Sequence, residues 1–538
     1  MRSTESLRPR AANHQPLTPL SFLRRACAAH PDKIAVIDQD RVLTYRELDL
    51  FTRRFAGALQ RAGIGAGDVV SLLTPNCLEM LAAHFAVPMI GAVLNTINVR
   101  LDAETIGYIL EHAESRLLIA DGAYAESACQ AMSRFSADCV TVWLRQEPAP
   151  KAARGDVSFA QFLEVGTSCA EDRVLDEWQP ICINYTSGTT GRPKGVVYHH
   201  RGAFLNSLGN VLALSLSTET RYLWILPMFH CNGWMHVWAV TAAAGTHVCM
   251  AKVDPPQILR ALTEQRITHT ACAPVVLYML VNDPEFARLP VSGSVKVATG
   301  GAAPTPQLIA ALEQAGFELI HLYGLTESYG PATLCSTPPA LAAAPAEVKA
   351  AHLARQGLPH PLASEARVAT PQGIDVPWDG ESVGEILLRG NTLMAGYYKN
   401  DSATEEAFAG GWLHTGDLAV RHADGQIEIR DRAKDIIISG GENVASLEIE
   451  AALLAHPAVL LAAVVPMADE KWGEVPCAFI ELKAGVQAVS EEELRAHCRE
   501  RLAHFKVPRR FVFADLPKTA TGKIQKYRLR ASLAAASG

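Results

Sequence analysis

At 538 residues, with 49% hydrophobic and 20% charged side chains, the chain is too long for one core and has the make-up of a globular protein. A formal net charge of −7 gives no indication of a general nucleic-acid footprint, and speaks only of the whole surface, not of local basic patches. The twelve cysteines form no C-x-x-C pair, which argues against a cysteine zinc site and against a disulfide framework, and fits a reduced cytoplasmic chain with buried thiols.

The first twenty residues are polar, basic and proline-containing, without the apolar stretch of a signal peptide. The apolar segments Met80–Asn95 and Leu453–Val465 are interrupted by His84 and Pro88, and by His456 and Pro457, so no membrane span is expected. Apolar, β-branched runs at Val69–Leu73, Ile181–Tyr185, Tyr222–Leu226, Val295–Thr299 and Glu318–Leu322 alternate with helical patterns. That alternation predicts an α/β protein: a large layered N-terminal domain with mostly parallel sheets, its ligand sites on loops past strand ends. The Ala/Pro-rich stretch Pro338–Ala351 predicts a surface loop running into a short helix. Short strands follow at Gly384–Arg389 and Gln426–Arg430.

A second regime begins near residue 430. Strand patterns at Ile436–Ser439, Val459–Val465, Pro476–Leu482 and Arg510–Phe513 surround a helix announced by the capping pattern Ser490-x-x-Glu493. Leu494, Cys498, Leu502 and Phe505 give that helix an apolar face. We expect an N-terminal domain over 1–432, a hinge at 433–434 and a small α+β domain over 435–538.

The strongest local signal is Tyr185-Thr-Ser-Gly-Thr-Thr-Gly-Arg-Pro-Lys-Gly-Val196, which follows an apolar strand. Its glycines let the backbone fold tightly. Thr186, Ser187, Gly188, Thr189 and Thr190 supply hydroxyls and backbone N–H donors, and Lys194 adds a positive charge, so the loop can cradle a polyphosphate. It has neither the Walker A spacing nor a G-x-G-x-x-G pattern.

This loop resembles the signature of the adenylate-forming enzymes: acyl-CoA synthetases, peptide-synthetase adenylation domains and luciferases. Further motifs resemble the same family in the same order: His321-Leu-Tyr-Gly-Leu-Thr-Glu-Ser328, Gly411-Trp-Leu-His-Thr-Gly-Asp-Leu418, the segment Arg430–Asn443, and Pro517-Lys-Thr-Ala-Thr-Gly-Lys-Ile524. The resemblance runs from Leu43 to Arg528. It implies an AMP-forming acyl-CoA synthetase that joins a carboxylic acid to the α-phosphate of ATP, releases pyrophosphate, and passes the acyl group to coenzyme A. The cofactors implied are ATP, Mg²⁺ and coenzyme A.

The resemblance also implies roles by position. Glu327, with Thr186 nearby, matches the Mg²⁺ carboxylate; Asp417 the acceptor for the ribose hydroxyls; Arg432 a ribose or phosphate contact. Gly300, Gly301, Ala302, Tyr323, Gly324 and Thr326 match the walls around adenine and the acyl group. Lys523 matches the adenylation lysine, and Lys434 the hinge about which the small domain turns between half-reactions. Ser439, Gly440, Gly441 and Glu442 match the loop beside the pantetheine channel, and Trp472, Phe505 and Arg509 the holders of the coenzyme A nucleotide. His230 lies between acyl group and thiol path, and Trp234 and Trp238, four apart on an expected helix, bound the acyl pocket. Pro227–Val240 shows no acidic residue to hold a substrate amino group, and its wording is similar to the branch that activates short- and medium-chain fatty acids and methylthio-alkanoates. Two alternatives stay open: a freestanding enzyme that loads a carrier-protein thiol, and a non-catalytic binding protein on the same fold. The resemblance leaves a homodimer open.

Overall fold

The computed structural model describes residues 9–134, 139–145, 157–169, 174–186, 192–289, 294–300, 304–362, 365–483, 485–486, 489–518 and 524–537. Two large sheets form the body. The first has nine strands in the order Leu358–Pro359, Gly330–Ser336, Phe317–Leu325, Val295–Gly300, His269–Cys272, Arg221–Trp224, Thr246–Cys249, Ile34–Asp38 and Arg41–Thr44. Its interior pairings are parallel and its two edges antiparallel. The second has eight strands, Gly396–Tyr397, Lys194–His199, Pro180–Thr186, Val93–Thr96, Val69–Leu73, Ser115–Asp121, Val140–Leu144 and Val157–Ser158. It is parallel except where Lys194–His199 joins its neighbours.

Strands covered on both faces read as continuous apolar runs, and Val69–Leu73 is buried at every position. The helix Leu78–Met89 is likewise buried all round. Such a helix belongs inside a protein body, here in the core that packs helices between the sheets. The helix Tyr45–Arg61 starts at a complete capping box between Thr44 and Glu47, which satisfies two of its free N–H groups. A four-stranded antiparallel sheet, Glu365–Ala369, Gly384–Arg389, Leu413–Arg421 and Ile427–Arg432, closes this part of the chain.

Beyond Lys434, the strands Glu442–Val444, Ile437–Ser439, Gly473–Leu482 and Val459–Asp469 form a separate sheet, joined by Arg510–Phe513. The helices Ser446–Leu454 and Glu491–Arg499 pack on it. Among the described residues, the apolar clusters on this sheet contain only side chains from Ile437 onward. The Ser490 side chain accepts from Glu493 N, as its spacing predicts. The helix stops at Arg499, however, so Leu502 and Phe505 do not continue its face. Phe505 sits on a separate short turn, His504–Lys506, and is 43% exposed.

One buried ionic chain links the two regions. Asp431 accepts from Ser446 N and Oγ at 2.5 and 2.7 Å. Lys526 Nζ donates to Ser446 Oγ at 2.6 Å and pairs with Glu450 at 2.7 Å. Burial pushes the Glu450 carboxyl above its usual range, while the carboxylates around Lys526 outweigh its burial and hold it charged.

Candidate active site

The phosphate-type loop joins two antiparallel strands. Thr186 ends Pro180–Thr186 and faces Lys194, which begins Lys194–His199. The loop therefore connects the two strands of a hairpin, and Lys194 stands at its base across from Thr186. Ser187, Gly188, Thr189 and Thr190 lie outside the described residues, as do Gly301, Ala302 and Lys523.

Tyr397, which the motif search did not single out, organises this corner. Its ring lies 4.7 Å from Lys194 Nζ and its hydroxyl donates to Glu327 Oε1 at 2.8 Å. Glu327 is held at its backbone as well, where its carbonyl accepts from Met394 N at 2.8 Å. Burial and the Glu327 charge both raise the Tyr397 pKa, so the hydroxyl remains a donor. A half-buried carboxylate with one oxygen fixed by a neutral donor fits Mg²⁺, which takes few protein oxygens and completes its shell from phosphate and water. Thr326, next in chain, accepts from Tyr198 through its carbonyl at 2.7 Å.

A second cluster lies where the four-stranded sheet meets the nine-stranded one. Asp417 and Arg432 are register partners, and Arg432 Nε pairs with Asp417 Oδ1 at 3.0 Å. Tyr323 reaches across from the nine-stranded sheet to donate to Asp417 Oδ2 at 2.8 Å. Burial and then the Asp417 charge push the Tyr323 hydroxyl well above its ordinary value. Asp417 is thus a buried carboxylate held from both sides, an oriented acceptor for a vicinal diol. Lys434 follows Arg432 by two residues, its pKa lowered by partial burial and by Arg432.

The acyl-side residues fall differently from expectation. Trp234 and Trp238 do not share a helix. Cys231, Asn232, Gly233, Trp234 and Met235 all have positive φ, a full left-handed turn, and the following helix starts only at His236. Trp238 is fully buried and donates through Nε1 to His84 O at 3.2 Å, so it is core. Trp234 is half-buried and lies against Gly330, whose φ is +93° and where an added Cβ would stand 3.2 Å from three Trp234 atoms. The far edge of the indole points at Gly300, where a Cβ would lie 3.6 Å from Cη2. Gly300 ends its strand in register with Leu322, next to Tyr323, and Gly324 follows on the same strand. His230 is half-buried directly before the left-handed turn. The structure therefore brings together Trp234, Gly300 and the Tyr323 strand.

The thiol-side residues cluster on the small sheet. The hairpin Ser439–Glu442 turns through Gly440 and Gly441, and Gly440 N donates to Trp472 O at 2.8 Å. A Cβ on Gly440 would stand 2.6 Å from the Trp472 ring, so only glycine lets the indole lie on that backbone. Trp472 is 39% exposed, as suits an open aromatic face. Arg509 N donates to Pro476 O at 2.9 Å, which anchors the segment after Phe505 to the same strand pair.

Comparisons with known proteins identify the family. Residues 23–398 match the profile of the AMP-binding enzyme family, and residues 448–523 match that of the AMP-binding enzyme C-terminal domain. The chain is 43% identical over 539 residues to the peroxisomal acetate/butyrate–CoA ligase AAE7 of Arabidopsis thaliana, covering 96% of this chain and 95% of that protein. It is 41% identical to the peroxisomal trans-cinnamate:CoA ligase of Petunia hybrida, covering 96% and 94%. Among solved structures, the anthranilate CoA ligase AuaEII in complex with anthranoyl-AMP superposes with a TM-score of 0.87 at 26% identity, covering 98% and 100%. No helix among the described residues is long and apolar enough to cross a membrane.

Proposed function

Since the chain belongs to the AMP-binding enzyme family and is an acid–thiol ligase of the acyl-CoA synthetase branch, using ATP and coenzyme A, we propose that its acid is a short- or medium-chain apolar carboxylate. The observation that carries this reading is Trp234 lying between Gly330 and Gly300 beside Tyr323. Its relatives are named for acetate, butyrate and cinnamate. The pocket wall is aromatic and glycine-lined, and such walls select by size through packing alone.

The first half-reaction brings two anions together, so positioning and positive charge do most of the work. Lys194 and the hydroxyls of Thr186, Ser187, Thr189 and Thr190 hold the phosphates. Glu327 and Thr186 would hold Mg²⁺, which neutralises phosphate charge when bound. Asp417, braced by Tyr323 and Arg432, fixes the ribose, while Gly301, Ala302, Gly324 and Thr326 line the nucleotide. Lys523 supplies charge at the reacting carboxylate and α-phosphate.

In the second half-reaction the small domain turns about Lys434. The Ser439–Glu442 loop then lines the thiol path toward His230, and Trp472, Phe505 and Arg509 hold the coenzyme A nucleotide. The self-contained apolar clusters after Ile437 support the boundaries 1–432, 433–434 and 435–538. We place the enzyme in the cytoplasm, as its free cysteines suit a reducing compartment; a peroxisomal address is the second reading, because several relatives carry it in their names.

The deciding experiment follows AMP release with a panel of acids (short, medium and long chain, aromatic, thioether), ATP and Mg²⁺, with and without coenzyme A. AMP release that requires both a short or medium acid and coenzyme A is expected. Pyrophosphate formation without coenzyme A-dependent turnover would point instead to a carrier-protein acceptor.

A further inference from the structure

The left-handed turn before His236 carries the Trp234 wall, and its conformation is costly. Each L-residue in that region is strained unless it is glycine or a residue such as asparagine that tolerates it. Cys231, Trp234 and Met235 have no such tolerance, so the surrounding structure must hold the turn in place.

Four contacts do so. Asn232 Oδ1 accepts from Asn184 Nδ2 at 2.8 Å, and Asn232 Nδ2 donates to Cys182 Sγ at 3.4 Å. Cys231 Sγ contacts Thr326 Oγ1 at 3.4 Å. Asn210 Nδ2 donates to Trp234 O at 2.9 Å. Asn184 and Asn232 are both buried. Asn184 lies on the strand that delivers Thr186, two residues before it, and its Oδ1 accepts from Thr96 at 3.2 Å. The same Thr96 hydroxyl shares its one proton with Phe229 O at 3.0 Å, next to His230.

We infer that Asn232 is a positioning residue. Its amide pair with Asn184 locks the strained acyl-side turn to the strand of the phosphate-type loop, so that the acid and the α-phosphate are held at a fixed separation. The inference rests on the acid-activating function proposed above. Reacting atoms must approach to about 3–3.5 Å, and a displacement of about 1 Å can lower the rate about a hundredfold. A side-chain amide bond in a dry interior is suited to that tolerance, because its two partners come from segments 48 residues apart that share no hairpin or helix.

The test uses the full chain with the acid that the wild type turns over best. Asn232→Gly keeps a backbone at ease with positive φ and removes the amide; Asn184→Ala removes the partner. Each variant is measured for melting temperature, for KM of acid and of ATP, and for kcat of acid-dependent pyrophosphate exchange. We expect folded variants with an acid KM raised about tenfold or more, a lowered kcat and an ATP KM within about twofold of wild type, and a double variant no worse than the worse single one. Unchanged acid KM, losses that multiply in the double variant, or losses that track the folded fraction would overturn the inference. A wild type inactive with every acid would instead sink the functional reading itself.

Discussion

The Tyr323 hydroxyl donates to Asp417 Oδ2 across 2.8 Å, joining two sheets at a buried carboxylate. If Asp417 holds the ribose, Asp417→Asn loses a charged acceptor for hydroxyl donors, and hydrogen bonds to charged groups contribute about 1.5–3 kcal/mol. We expect the KM for ATP to rise about tenfold to a hundredfold with the KM for the acid little changed. Tyr323→Phe should show the same pattern more weakly. Steady-state kinetics with each substrate varied in turn checks both; an unchanged ATP KM in Asp417→Asn would remove the residue from the nucleotide site.

If Lys523 supplies the charge for adenylation, as proposed, Lys523→Ala should abolish adenylate formation while leaving thiolation of a supplied acyl-adenylate within about twofold of wild type. Pyrophosphate exchange reads the first step and acyl-CoA formation from acyl-adenylate the second. Adenylation at the wild-type rate would show that another group supplies the charge.

Trp472 and Phe505 expose aromatic faces on the small sheet. Stacking of one nucleobase contributes about 1–3 kcal/mol. Trp472→Ala and Phe505→Ala should therefore raise the KM for coenzyme A by about fivefold to a hundredfold, and leave pyrophosphate exchange without coenzyme A unchanged. A variant that weakens ATP use instead would assign these rings to the nucleotide triphosphate.

The core buries several histidines in the neutral state. Burial lowers the pKa of His200, His236 and His247 to about 3 and of His84, His199, His269 and His360 to about 4. In the unfolded chain these imidazoles titrate near about 6.5, so below that pH the unfolded state binds more protons and stability falls with falling pH. Their contribution is complete above pH of about 6.5 and is lost progressively as pH falls, toward about 4 for the second group and about 3 for the first, at up to about 1.4 kcal/mol per pH unit for each histidine. The melting temperature should drop steeply between about pH 6.5 and 5, and His247→Gln should lessen the slope. A flat profile across that window would mean that these rings are protonated when buried.

Much of the site is legible in the sequence because its chemistry sits in contiguous words. Thr186 and Lys194 share one hairpin, and Glu327 and Asp417 each lie within a motif. What escapes is pairing across distance. Tyr397 lies 70 residues from Glu327, and no local pattern says that its ring would stand between that carboxylate and Lys194. The i,i+4 spacing of Trp234 and Trp238 suggests one helix, yet the Asn232-Gly233 dipeptide between His230 and Trp234 is a turn signal that outweighs it. The helix after Ser490 stops at Arg499: Leu494 and Cys498 keep the periodicity, Leu502 packs on the same apolar cluster from beyond the helix end, and Phe505 sits on a separate turn that faces solvent.

The separate apolar clusters on either side of Arg432 have a consequence for descent. Among the described residues, the contacts of Trp234 with Gly300 and Gly330 and of Asp417 with Tyr323 come from one side of that point, and the contact of Gly440 with Trp472 comes from the other. If the roles proposed above hold, a single genetic crossover near residue 433 would give a progeny chain a new acid preference with an inherited acceptor side, provided that it kept the buried match of Asp431 to Ser446 and of Ser446 to Lys526.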